Sequence, residues 1–79
     1  MRALCLITIK PGTIDKVTTL LLKKRKIAKE GLPVTGRADI CIIMHGSIDD
    51  INTTVMDFKK IGDIVATETL MEMEVDLGW

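Results

Sequence analysis

Apolar residues run almost unbroken through Ala3-Leu4-Cys5-Leu6-Ile7-Thr8-Ile9 and stop at Pro11-Gly12, a pair that neither continues a strand nor opens a helix interior. This pattern predicts a first strand. Ile14, Val17, Leu20 and Leu21 then recur at helical spacing on one face, with Thr13 placed to cap and Asp15 near the positive end of the dipole. The helix is expected to reach about Lys24. From Lys23 to Pro33 the pattern supports two readings. Propensity carries the helix through Ile27-Ala28-Lys29 to a stop at Gly31, whereas the order of elements asks for a strand across about Ile27 to Val34. We take the strand. Gly31 packs nothing and Pro33 cannot donate to a ladder, so the strand is expected at a sheet edge or bulged.

A third strand, about Asp39 to His45, is apolar at both parities: Ile40, Ile42 and Met44 on one face, Cys41 and Ile43 on the other. Gly46 breaks it. Ser47 with Asp49 and Asp50 makes a helix start, Asp50 standing where the acid of a capping box stands. Ile48, Ile51, Val55 and Phe58 supply the expected buried stripe of a second helix, which should end at Lys59-Lys60 before the Gly62-Asp63 turn. The last run, Ile64 to Val75, alternates a mixed apolar parity with a more acidic one and predicts an antiparallel strand, followed by a loosely held Asp76-Leu77-Gly78-Trp79.

Strand, helix, strand, strand, helix, strand is an α+β order, with a sheet covered by both helices on one face. The first strand carries Ala3, Cys5, Ile7 and Ile9 on one side and Leu4 and Leu6 on the other, so the face away from the helices is apolar too. A second copy packed sheet to sheet would cover it, which predicts a symmetric homodimer. Between the second and third strands, the polar turn Val34-Thr35-Gly36-Arg37-Ala38-Asp39-Ile40 is where a small ligand is best held.

Composition sharpens this picture. A chain of 79 residues is one domain that buries roughly 60% of its unfolded surface, so help from a partner chain is expected. Aromatics are only 3% of residues, which removes stacking platforms for bases and argues against RNA recognition by the sheet. Two cysteines, no signal-like start and no apolar run of spanning length point to a reducing cytoplasmic compartment and no membrane. Net charge is zero but sorted: residues 1–45 hold nine Lys/Arg against three acids, residues 46–79 two against eight. Copies of such a chain could present complementary patches to one another.

The element order, the Pro11-Gly12 junction, the Val34-to-Ile40 turn and the Thr67-x-Thr69 pair resemble the effector-binding and oligomerisation domain, the RAM domain, of the Lrp/AsnC transcription regulators. The resemblance covers essentially the whole chain, and with no helix-turn-helix ahead of the first strand the likeness is to stand-alone RAM proteins. It implies a ferredoxin-like βαββαβ sandwich with an antiparallel four-stranded sheet, a homodimer through the sheet face and higher oligomers. It further implies an amino-acid effector, co-assembly with a full-length Lrp/AsnC regulator and no direct nucleic-acid binding. By position, the ligand residues it implies are Thr35, Gly36 and Asp39, with Thr67 and Thr69. Chemically, Asp39 suits an ammonium, Gly36 allows close main-chain approach to a carboxylate, and the threonine hydroxyls serve either end. Where the family commonly carries an aromatic before the turn's aspartate, this chain has Ala38.

Other candidates carry less. Cys41 and His45 share a strand side and Cys5 lies on the neighbouring strand, but no C-x-x-C or H-x-x-x-H pair supports a metal. A single histidine and scattered Ser/Thr assemble no catalytic set, so neither enzyme activity nor a cofactor is expected. The cationic Lys23-Lys24-Arg25-Lys26 with Lys29 reads as a solvated corner or a contact to another subunit's acidic half, and the methionines as core or interface filler. Two further functions fit the same pattern: a purely structural oligomerisation domain, and an ACT-like regulatory subunit of a biosynthetic enzyme with its ligand near Pro11-Gly12.

Overall fold

The structure, a computed structural model, describes residues 1–79. The elements are β1 (Arg2–Ile9), α1 (Ile14–Leu21), β2 (Ala28–Pro33), β3 (Ile40–His45), α2 (Ile48–Phe58) and β4 (Ile64–Met71). They form the expected ferredoxin-like βαββαβ fold, with one sheet ordered β2-β3-β1-β4 and every neighbouring pair antiparallel. The two strands that are apolar at both parities, β1 and β3, occupy the centre. Their registers place Cys5 opposite Ile42 and Leu6 opposite Cys41, so Ala3, Cys5, Ile7, Ile40, Ile42 and Met44 share one face. Val17 and Leu21 of α1 and Ile51 and Phe58 of α2 pack on that face, and together these residues form the core.

β2 is an edge strand and is bulged between Ala28 and Glu30. The strand reading of 27–34 therefore holds, and the helical alternative does not. Only a short 3₁₀ turn, Leu22–Lys24, continues α1. Val34 donates its N–H inward to the Asp39 carbonyl at 2.9 Å, so by alternation the main-chain groups of Gly31 and Pro33 point away from β3. Pro33, which has no N–H to offer, sits on the side where none is required.

α2 starts as its sequence predicts: Ser47 Oγ accepts from the Asp50 amide at 3.0 Å and the Asp50 carboxylate accepts from the Ser47 amide at 3.2 Å. Three expectations need correction. Thr13 stands at the N-cap of α1 but its hydroxyl donates backwards to the Lys10 carbonyl at 2.6 Å, stapling the Pro11-Gly12 turn instead of capping. Ile48 and Ile14 are 54% and 40% exposed, because each is the first residue of its helix and lies beyond the packed layer. Thr54 takes a buried place in α2 instead, its hydroxyl satisfied by the Asp50 carbonyl at 2.8 Å. Finally β4 ends at Met71, opposite Ala3, and not at Val75: β1 supplies no partner beyond Arg2, whose carbonyl accepts from the Glu72 amide.

Candidate effector site

The turn between β2 and β3 is built from main-chain bonds. The Val34 amide donates to the Asp39 carbonyl and the Asp39 amide to the Ile7 carbonyl, each at 2.9 Å. Gly36 has φ +108°, a conformation that leaves Thr35, Gly36 and Arg37 exposed at the tip while Ala38 is buried beneath them. Asp39 is half-buried, and its Oδ2 accepts from the Ile9 amide at 2.9 Å. That bond falls where β1 changes register against β4, between Thr8 and Ile9. The Ile9 amide points to the β3 side of β1, so the carboxylate extends the β1–β3 pairing one step past Ile40, and its second oxygen keeps acceptor capacity for a cation.

Thr67 and Thr69 stand opposite Ile7 and Cys5 and so face the helix layer. The Thr69 hydroxyl donates to Cys5 Sγ at 3.8 Å, and Cys5 is wholly buried; desolvation pushes its thiol above the ordinary value, with the Thr69 bond opposing. Thr35, Gly36 and Asp39 are therefore together in one turn, and Thr67 and Thr69 together in another strand. β1 lies between the two groups, which sets them two strand spacings, about 10 Å, apart. Arg37 links the turn to β4 on the opposite face through Glu68 at 2.7 Å.

The face away from the helices carries Leu4, Leu6, Leu32, Cys41, Ile43 and Leu70, with Leu4 39% and Leu70 48% exposed. Ion pairs bracket it, Arg37 with Glu68 at one end and Arg2 with Glu72, both at 2.7 Å, at the other. A hollow of about 360 Å³ opens beside Leu4, Ile43 and Leu70. Cys41 and His45 lie on this face and Cys5 on the other, so the three do not form one cluster. No helix is long and apolar enough to cross a membrane.

One feature escapes the hydrophobic pattern: a groove of about 490 Å³ between α1 and the free edge of β2, lined by Ile14, Leu22, Pro33, Arg25 and Lys29 among others. The exposed Ile14 belongs to it. Two-fold and helical periodicities report which face an element buries, not the gap left where a short helix meets a bulged edge.

No family model matches the sequence, and no curated protein sequence aligns with it. Solved structures do match its fold. A structure described as FFRP-DM1 superposes with a TM-score of 0.81 at 22% identity, over 91% of this chain and 97% of that one. AsnC of E. coli does so at 0.72 and 23% identity, over 95% of this chain and 53% of its own, so the chain spans about half of that regulator. The 5-chloro-2-hydroxyhydroquinone dehydrochlorinase of Burkholderia phenoliruptrix AC1100, solved with 2,5-dihydroxybenzoquinone, matches at 0.65 and 20% identity over 92% and 94%.

Proposed function

We propose that this chain is a non-enzymatic regulatory module of the RAM type, which assembles through its open sheet face and binds a small effector, an amino acid, at the Thr35–Asp39 turn. The observation that carries the reading is the apolar face of Leu4, Leu6, Ile43 and Leu70: two helices have already covered the other side, and a second sheet is the simplest cover for this one. The fold shared with AsnC supports the regulatory part, and co-assembly with a longer Lrp/AsnC regulator in the cytoplasm is part of the same proposal.

Within one chain β1 separates Asp39 from Thr67 and Thr69, so the two halves of the site are supplied by different copies. Asp39 holds the effector's ammonium, the Gly36 main chain its carboxylate, and the threonines of a neighbouring copy its remaining polar groups. The dehydrochlorinase shows that the fold can host catalysis, but the turn brings no nucleophile next to a base. Native mass spectrometry of the purified chain, with and without a panel of amino acids, tests the reading. An oligomer of even subunit number that gains the mass of one amino acid per subunit is expected. A monomer would overturn the sheet-packing part, and an oligomer that gains no mass would overturn the effector part.

A further inference from the structure

The two arginines that bracket the open sheet face each stand 2.7 Å from a glutamate of their own chain, yet their donors are engaged differently. Arg2 donates from Nε and Nη2 to Glu72 Oε2 at 3.0 and 2.7 Å, so its fork is occupied. Arg37 meets Glu68 through charge alone, with no guanidinium hydrogen aligned on the carboxylate, and its side chain is 76% exposed. The one hydrogen bond at this residue is to its carbonyl, which accepts from the Thr8 hydroxyl at 3.5 Å. The amides of Thr35, Gly36, Arg37 and Ala38 also donate to no group of the chain, although Ala38 is buried. Unpaired amides are rare where the chain is covered, and they ask for a partner. Gly36, at φ +108°, stands between residues of negative φ, an alternation that lets successive amides converge on one anion. Asp39 adds the opposite charge, one oxygen committed to the Ile9 amide and the other without a partner. The turn thus offers two places for an anion and one for a cation.

We infer that the effector is a dicarboxylic amino acid, of the aspartate or glutamate type, whose side-chain carboxylate is bound by the Arg37 guanidinium. This rests on the effector reading proposed above, in which Asp39 holds the ammonium and the Gly36 main chain the α-carboxylate. A neutral amino acid placed in that way leaves Arg37 with nothing to bind, and a basic one sets two cations against each other. A second carboxylate suits it, because a guanidinium presents two parallel N–H groups to two oxygens. Glu68 engages neither in that manner. Its role is to hold the Arg37 side chain over the end of the open face until the effector displaces it, and at 42% exposure it then turns out into water. Asparagine and glutamine offer one acceptor oxygen and no charge in place of that carboxylate, so the site separates each acid from its own amide.

Calorimetric titration of the full chain with aspartate, asparagine, glutamate and glutamine provides the test. One of the acids is expected to bind at least about tenfold more tightly than its own amide. Arg37→Met, at an exposed position that leaves the fold intact, should abolish this preference while changing the affinity for the amide little. Glu68→Gln removes the competing carboxylate and should tighten binding of the acid. An amide that binds as tightly as its acid, or a preference for the acid that survives in Arg37→Met, overturns this inference and leaves the effector reading standing. A chain that binds no amino acid in the panel of the previous experiment overturns both.

Discussion

The Ile9 amide donates to the Asp39 carboxylate at 2.9 Å, at the step where β1 shifts register against β4. The acid best placed to hold an effector is thus already part of the sheet. Removing the acceptor leaves a half-buried N–H without a partner, which costs about 1–3 kcal/mol, whereas an amide oxygen can replace the carboxylate oxygen. Asp39→Ala should therefore lower stability by about 1–3 kcal/mol in urea unfolding, and Asp39→Asn by less than half as much. Only Asp39→Asn separates the two roles: it should retain the assembly and lose the bound amino acid, whereas retained binding would show that the charge of Asp39 serves the fold alone.

Ile43 sits near the middle of the open face, opposite Leu4. It is half-buried in the isolated chain, so Ile43→Lys has room to extend its ammonium into water there, but not against a second sheet. Sedimentation equilibrium should show association weakened by about tenfold or more, with the far-UV circular dichroism of the wild type. Unchanged oligomer size would rule out packing through this face.

Stability should fall in acid, and the direction follows from three carboxyl groups that solvent reaches. The Ser47 amide and hydroxyl hold Asp50 below the ordinary carboxylate value, Lys24 and then Lys60 do so for Asp57, and the side chain and amide of Arg2 do so for Glu72. Each folded-state pKa is thus lower than its unfolded value of about 4, and the unfolded chain binds more protons in that range. The stabilisation is complete above the unfolded values and drains away as pH falls through the folded ones. Thermal unfolding should be nearly independent of these groups between about pH 5 and 7 and decline below about pH 4, less steeply than their number suggests because solvent screens all three, and less steeply still at high salt. A midpoint that rises on acidification would contradict the ion-pair and capping geometry.

Much of the architecture is readable from side-chain alternation, because β1 and β3 are apolar at both parities and only a central, two-sided position suits them. Gly31 and Pro33 likewise mark β2 as a strand for a sheet edge or a bulge, and it is both. What the pattern does not report is where a partner stops. Alternation continues to Val75, yet β4 ends at Met71 because β1 begins at Arg2. Ile48 and Ile14 obey helical spacing but lie past the packed layer, and Thr54 is buried because a local bond to Asp50 satisfies its hydroxyl. In the candidate site, Thr35, Gly36 and Asp39 are adjacent in sequence and in space. Their separation from Thr67 and Thr69 depends on β1 entering between β3 and β4, a matter of strand order that residue types do not encode.

Pro33 on the outer edge of β2 has a consequence for how far such a chain can grow. A fibril needs every strand to pass a complete row of donors and acceptors to the next. Here the row breaks after Gly31, because the following outward residue accepts but cannot donate. The edge therefore cannot pass an unbroken row of donors and acceptors to another chain, and growth as a continuous sheet is disfavoured at its first step.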